Sequence, residues 1–286
     1  MTDNRITAIV HTYNAREHLG RVLGTLQGFD ELLVVDMEST DDTCAIAREK
    51  GARVITFERG EHRIVEPARQ FGIDHAGCPW VLEVDADELV TPELTAFLRE
   101  LAGRPDAPDG LYIPRRNFFM GREMHSGYPD PVLRFFRRDK CLWPATIHAI
   151  PKIDGRVESI PARRKELAFI HLANESVHSR AEKHLRYSSY EAERKAARRR
   201  HPALDLLWRP GFIFLRKYLL KGGWRDGLPG LVLSVQGACN EALICCKLVE
   251  RRQEARGKGQ EARGKRQEAR VAIRARPAVG SDRNRF

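Results

Sequence analysis

Trp80–Glu88 reads WVLEVDADE. Val81, Leu82 and Val84 form the near-continuous apolar run of a strand buried on both faces. The run ends in two carboxylates one residue apart, Asp85 and Asp87, with Glu88 beside them. Thr91-Pro92 then supplies an N-cap and a proline at the first helical position, so a helix is expected to open there. The acids therefore sit where a strand gives way to a loop, and in open α/β sheets ligands gather outside the carboxyl ends of the strands. Two carboxylates in one short loop repel unless a cation neutralises them, and hard oxygen ligands suit Mg2+ or Mn2+. Taken alone, an Asp-x-Asp is more often a polar turn after a buried strand. Its surroundings decide.

Working outward, Ile6–Val10 is a short apolar run that ends in His11-Thr12-Tyr13-Asn14. Leu32–Val35 is a second buried strand with Asp36 at its end, and the polar loop through Thr43 opens a helix that Gly51 stops. Val54–Phe57 reads as a third strand, and Pro67–His75 as a helix with Arg69 in its first turn. Strand and helix alternate four times in about 100 residues, the pattern of a doubly wound α/β sheet. Polar or acidic residues end the first strand (His11), the second (Asp36) and the fourth (Asp85, Asp87), so these ends are expected to meet on one edge.

The net charge of +10 is uneven. Residues 251–286 hold 12 Lys and Arg against 4 Asp and Glu, whereas the first 250 hold 37 against 35. The excess belongs to the tail, which argues against a nucleic-acid-binding core. Six cysteines without a Cys-x-x-Cys or Cys/His spacing read as reduced, mostly buried thiols of a cytosolic protein. The N-terminus shows no signal-peptide pattern, and no run of 18 apolar residues marks a membrane span.

HTYN after the first strand, VDMESTDDT after the second, Arg69 with FGIDHA, and WVLEVDADE together resemble the inverting family 2 glycosyltransferases. GYPDPVLRFFRR (127–138), WPATIH (143–148), FIHL (169–172), LRYS (185–188) and YLLKGGWRDGLPG (218–230) look like the bacterial branch that adds glucose to the lipopolysaccharide inner core. The resemblance spans residues 5–250 and implies a GT-A fold, a Rossmann-like nucleotide-sugar-binding domain with a mostly parallel sheet. It implies that Tyr13 and Asp36 hold the nucleobase and ribose of a UDP-sugar, that His11 and Asn14 also belong to the nucleotide-sugar site, that Arg69 faces the diphosphate or base, and that Asp85 and Asp87 hold a metal-diphosphate. It further implies inversion at the sugar, with Asp130 as the base facing a lipid-linked or lipopolysaccharide-core acceptor. Asp130 sits between prolines ahead of a strand, Val132–Phe136, and beside the basic pair Arg137-Arg138. Glu88, His148 and His171 are additional candidates, although each histidine reads first as a structural residue. Where the branch has His-Glu, this chain has His148-Ala149. That departure leaves open a second reading, a sugar-nucleotide-binding protein of the same fold with altered or absent catalysis.

Three regions follow: a catalytic domain over 1–175, a helical region over 176–250, and a basic low-complexity tail over 251–286. Residues 175–200 form a charged helix, and 204–220 mix Trp208, Phe212 and leucines with Arg209, Arg216 and Lys217. Residues 228–249 are apolar but interrupted by Gln236, Asn240, Glu241 and Lys247. Such segments fit helices lying in a membrane interface, with an anionic surface as partner, or a hairpin packed on the catalytic domain. The first reading places the protein peripherally on the cytoplasmic face of the inner membrane. QEARGKG, QEARGKR and QEAR repeat with a period of seven but lack the apolar positions of a coiled coil, so a solvated helix or disorder is expected.

Overall fold

The computed structural model describes residues 3–60, 65–145, 150–172 and 176–274; for Ser179 and residues 259–274 it describes the backbone alone. The chain forms two compact units, one of residues 1–175 with 221–230, the other of residues 176–220 with 231–286.

The first unit carries β1 (Ile6–Thr12), β2 (Glu31–Asp36), β3 (Arg53–Thr56) and β4 (Trp80–Asp85), with α1 (Arg16–Thr25), α2 (Thr43–Glu49) and α3 (Glu66–His75) between them. Next come β5 (Glu88–Leu89), α4 (Pro92–Ala102), β6 (Gly110–Ile113), β7 (Arg115–Phe119) and β8 (Arg122–Glu123). β9 (Val132–Arg137), β10 (Cys141–Leu142), β11 (Lys152–Ile153), β12 (Val157–Ser159) and β13 (Phe169–His171) complete it. The main sheet has the order β12-β6-β9-β4-β1-β2-β3. β1 runs parallel to β2 and β4, and β2 to β3. β9 runs antiparallel to both β4 and β6. A second sheet, β5-β13-β7-β8, is built of strands of two to five residues.

The alternation of side chains along a strand explains how the main sheet is used. Trp80, Leu82 and Val84 of β4 join Ile6, Ala8 and Val10 against α1 and α4. Trp80 also stacks on Phe135 of β9, with ring centroids 4.8 Å apart. Val81 joins Ile9, Val35 and Ile73 on the opposite face, under α3. Glu83 and Asp85 share that second face. Gly72 lets α3 press onto it: a Cβ there would stand 3.0 Å from His11 Nε2 and from Val35 Cγ2. α4 opens as the sequence suggests, with Thr91 Oγ1 accepting from the Leu94 N–H at 3.1 Å.

In the second unit, α5 (Val177–Ala196) and α6 (Pro202–Leu215) precede α7 (Leu228–Arg274), whose first turn lies in the first unit. Ile244 and Leu248 of α7 pack on Ala192 of α5. Glu241 accepts from Arg199 and Arg209, each at 2.7 Å, and Lys247 donates to the hydroxyls of Ser188 and Ser189. Three expectations change here. Residues 221–230 belong with the catalytic unit rather than with the helical region, because Asp226 is tied to His125 and Ser126. No break falls at 250, since α7 continues through the repeats. Only Cys78 and Cys245 are buried; Cys239 and Cys246 are exposed on α7.

Candidate active site

The register of the main sheet brings the strand ends together. His11 pairs with Asp85, and Thr12 with Asp36. Around Asp85 lies a line of buried charges. Arg69 Nη2 donates to Asp85 Oδ1 (2.6 Å), and Arg134 Nη2 to Asp85 Oδ2 (2.7 Å). Arg69 Nη1 also donates to Glu83 Oε2 at 3.1 Å. His11 Nδ1 stands 3.1 Å from that oxygen, and its Nε2 bonds the Ala68 carbonyl at 3.0 Å. Both guanidiniums lie over the Trp143 ring, at 4.8 Å and 5.7 Å from its centroid.

Burial works against charge on Asp85, and Arg134 and Arg69 outweigh it, so its carboxyl is held far below the usual range. Glu83 is likewise lowered against its burial, by His11, Arg69 and Arg134. The pairs hold because each buried charge meets an opposite one, and removing one partner of such a pair costs about 3–5 kcal/mol. Glu83→Ala leaves the buried Arg69 its bond to Asp85 but removes the second of its two carboxylates, and is expected to lower unfolding free energy by about 1–3 kcal/mol, the cost of a buried donor left unsatisfied, in a urea titration. A loss under 1 kcal/mol, the scale of an exposed pair, would contradict this account. Lowered folded values mean that these carboxylates stabilise the fold above the pH at which free carboxyls titrate, about 4. The contribution is lost as pH falls further, and Glu83→Ala is expected to flatten that acid limb.

The small sheet builds a second line. His171 on β13 registers with Glu88 on one side and Asn117 on the other. His171 Nδ1 donates to Asn117 Oδ1 (2.7 Å), and its Nε2 lies 3.4 Å from Asp87 Oδ2. Burial disfavours the His171 cation, but the bond to Asp87 and its charge prevail and raise the pKa. Asn117 Nδ2 donates to Asp130 Oδ2 at 3.1 Å, and Arg115 adds two bonds to the same oxygen at 2.6 and 3.1 Å. Arg115 also reaches Glu88 Oε1 at 3.2 Å, and Glu88 Oε2 accepts the Asp85 N–H at 3.1 Å. The Leu172 N–H holds the Asp87 carbonyl at 2.8 Å.

Several residues sit differently from what the sequence suggests. Asp36 is buried and takes Thr12 Oγ1, Ser39 Oγ and the Ser39 N–H, so it shapes the loop rather than facing outward. Asn14, at φ +50°, does similar work: its Oδ1 accepts the Thr40 N–H at 2.8 Å. Tyr13 is exposed, with the Arg59 guanidinium 3.9 Å over its ring. Arg69 is turned into the protein towards Glu83 and Asp85. Glu88 is fully buried, and burial and the Asp85 charge push its pKa up. It cannot meet an acceptor there. Asp130 lies beside Arg115 and Asn117, whereas Arg137 is near Asp109. His148 and Ala149 fall outside the described residues. Glu83, Arg134, Arg115 and Asn117 escaped the sequence reading. For the first two a signal existed: a charge inside an apolar strand must find a partner.

The model of the family described as glycosyl transferase family 2 matches residues 7–159. The chain is 28% identical over 257 residues to LpsC of Rhizobium meliloti strain 1021, a lipopolysaccharide core biosynthesis glycosyltransferase. That alignment covers 86% of this chain and 92% of the relative. An uncharacterized glycosyltransferase of Rickettsia felis is 35% identical over 97 residues, 32% of this chain and 31% of that one. Among solved structures, mannosyltransferase PcManGT from Pyrobaculum calidifontis, in complex with GDP-Man and Mn2+, is 18% identical. It covers 86% of this chain and 85% of its own, with a TM-score of 0.48. The family model alone takes in more than half of the residues, including β1, β2, β4 and the Asp85–Glu88 turn, and the chain belongs to glycosyl transferase family 2.

Proposed function

We propose that this glycosyltransferase moves a hexose, glucose by the family branch it resembles, from a UDP-sugar to a lipopolysaccharide-core glycan, with inversion, in one metal-assisted displacement. One observation carries the reading. Asp87, His171, Asn117 and Asp130 form a single line of contacts at the edge where the strand ends meet. A donor diphosphate at Asp87 and an acceptor hydroxyl at Asp130 would then occupy opposite ends of one site. Tyr13 offers an exposed face for the base. Asp36 and Asn14 keep its loop in place.

The donor set suits a divalent cation. Among the described residues no group of three or more His, Cys, Asp and Glu is gathered to hold a metal. Mg2+ is usually held by one or two carboxylates, with substrate phosphates and water completing the shell. Asp87 is partly exposed, while both oxygens of Asp85 are engaged by arginines, so ligation falls first to Asp87 and Asp85 orients the arginines behind it. When bound, such an ion neutralises the charge that develops on a departing diphosphate. Arg115 and Asn117 aim Asp130, and the Asp130 carboxylate takes the proton of the attacking hydroxyl. The deciding experiment measures UDP released from a panel of UDP-sugars, with and without truncated lipopolysaccharides, and the anomeric configuration of the product. Release that no lipopolysaccharide stimulates, or a product with retained configuration, contradicts the proposal.

An anionic membrane surface is the partner this reading gives to α6. Leu204, Trp208, Phe212 and Leu215 recur every three or four residues, with Leu207 beside Trp208 and Leu219 in the π-helical turn that follows; all are exposed, Leu207 by 82%. Eleven Lys and Arg face four Asp and Glu between 176 and 220, the balance of an interfacial amphipathic segment. Among the described residues one helical stretch, Leu228–Lys258, is long and apolar enough to cross a membrane by length and composition. Its Glu241 and Lys247 are bonded to α5, α6 and the turn between them, which favours packing within the unit. Replacing Leu207, Trp208 and Phe212 together by serine is expected to weaken binding to vesicles rich in anionic lipid by at least about tenfold. Unchanged binding would rule this face out.

A further inference from the structure

The His125–Asp226 pair lies outside both lines of charge. Asp226 ends the turn Gly223–Asp226, inside the stretch 218–230 to which the proposed mechanism gives no task. Its side chain is 0% exposed, yet it takes three donors. Oδ1 accepts the His125 backbone N–H (2.7 Å) and bonds His125 Nδ1 (2.9 Å), and Oδ2 accepts the Ser126 N–H (3.0 Å). Burial pushes the carboxyl up, and the bonds from Ser126 and His125 bring it below its ordinary value. The turn is shaped to deliver this carboxylate. A Cβ on Gly230 would stand 1.9 Å from the Gly223 carbonyl oxygen, and Gly227 takes a φ of +64°.

Two backbone amides would suffice if Asp226 only capped a loop. The imidazole adds what a cap does not need. An ionised carboxylate only accepts, so Nδ1 carries a proton, and in the neutral ring Nε2 keeps its lone pair. The His125 side chain is 57% exposed. Its loop is the loop of Asp130: the Met124 N–H bonds the Asn117 carbonyl (2.8 Å), and the Gly127 carbonyl accepts from Asn117 Nδ2 (3.4 Å). That same amide donates to Asp130. A histidine of fixed tautomer, half open to solvent and mounted on the loop of the candidate base, is placed to receive a hydroxyl.

We infer that His125, held in its Nδ1–H form by Asp226, belongs to the acceptor subsite and takes a hydrogen bond at Nε2 from a sugar hydroxyl of the acceptor glycan. Asp226 is the positioning residue, acting through His125. This rests on the glycosyl-transfer reading above.

The test uses the full-length protein, UDP-glucose, and truncated rough lipopolysaccharide as the acceptor probe. His125→Ala is expected to raise the acceptor KM about three- to tenfold, the scale of one hydrogen bond. Its kcat is expected to change less, and UDP affinity by calorimetry to stay at the wild-type value. Asp226→Asn is expected to shift acceptor KM in the same direction. Should that variant fail to fold, His125→Ala alone decides. Imidazole nitrogen NMR is expected to show the Nδ1–H tautomer for His125, identified by its absence from His125→Ala. An Nε2–H tautomer overturns the inference, as does a stimulated enzyme whose His125→Ala variant keeps the wild-type acceptor KM. A wild-type enzyme that no truncated lipopolysaccharide stimulates overturns the acceptor class itself, and this assignment with it.

Discussion

Asp130→Asn is expected to lower kcat by about 10²- to 10⁴-fold, the contribution of a positioned general base, with UDP-sugar affinity unchanged. Three donors converge on Asp130 Oδ2, two from Arg115 and one from Asn117. They hold the carboxylate by one oxygen, and in the proposed mechanism Oδ1 meets the acceptor hydroxyl. Asparagine keeps the shape and loses the basicity. Arg115 keeps its bond to Glu88, so the fold is expected to survive. Single-turnover transfer and calorimetric donor binding separate the two effects. Wild-type transfer by a folded Asp130→Asn protein would remove Asp130 as the base. Since Glu88 is buried, His148 would be the next residue to replace.

Asp87→Ala is expected to cost about 10²-fold or more in Mn2+-dependent UDP affinity, bringing it to the level seen with a chelator, since a bound cation contributes several kcal/mol of charge stabilisation. Its side chain is about one-third exposed and lies near His171 Nε2, so the melting temperature is expected to move little. Asp85→Ala offers the contrast. It leaves Arg69 and Arg134 without a carboxylate between them and is expected to fail in folding as well as in binding. Unchanged metal-dependent affinity in Asp87→Ala would falsify the ligand assignment.

The half built on parallel strands was legible because those strands announce themselves. Runs such as Ile6–Val10 and Leu32–Val35 are buried on both faces and end in polar residues, so His11, Asp36 and Asp85 could be set on one edge before any coordinates. Which way those side chains turn was not legible. Asp36 and Arg69 point inward because Ser39, Glu83 and Asp85 compete for them, and no periodicity reports that. The small sheet left no signal either. Strands of two or three residues, such as β5 and β13, carry too few positions for alternation, yet they bring Glu88, His171 and Asn117 into register. His125 and Asp226 meet across 101 residues, and only three-dimensional folding relates them.

The reversed direction of β9 makes the two substrate sides unequal in how freely they can diverge. Every residue presented by β1, β2 or β4 stands at the exit of a parallel strand, ahead of a crossover whose helix must still cover the sheet. Asp130 stands at the entrance of an antiparallel strand, after a connection that carries no crossover helix. Lengthening that connection costs mainly loop-closure entropy, about 0.6 kcal/mol for each doubling. Under the proposed assignment the nucleotide side is thereby tied to the architecture, while the connection leading to Asp130 can gain or lose residues at small cost on an unchanged sheet.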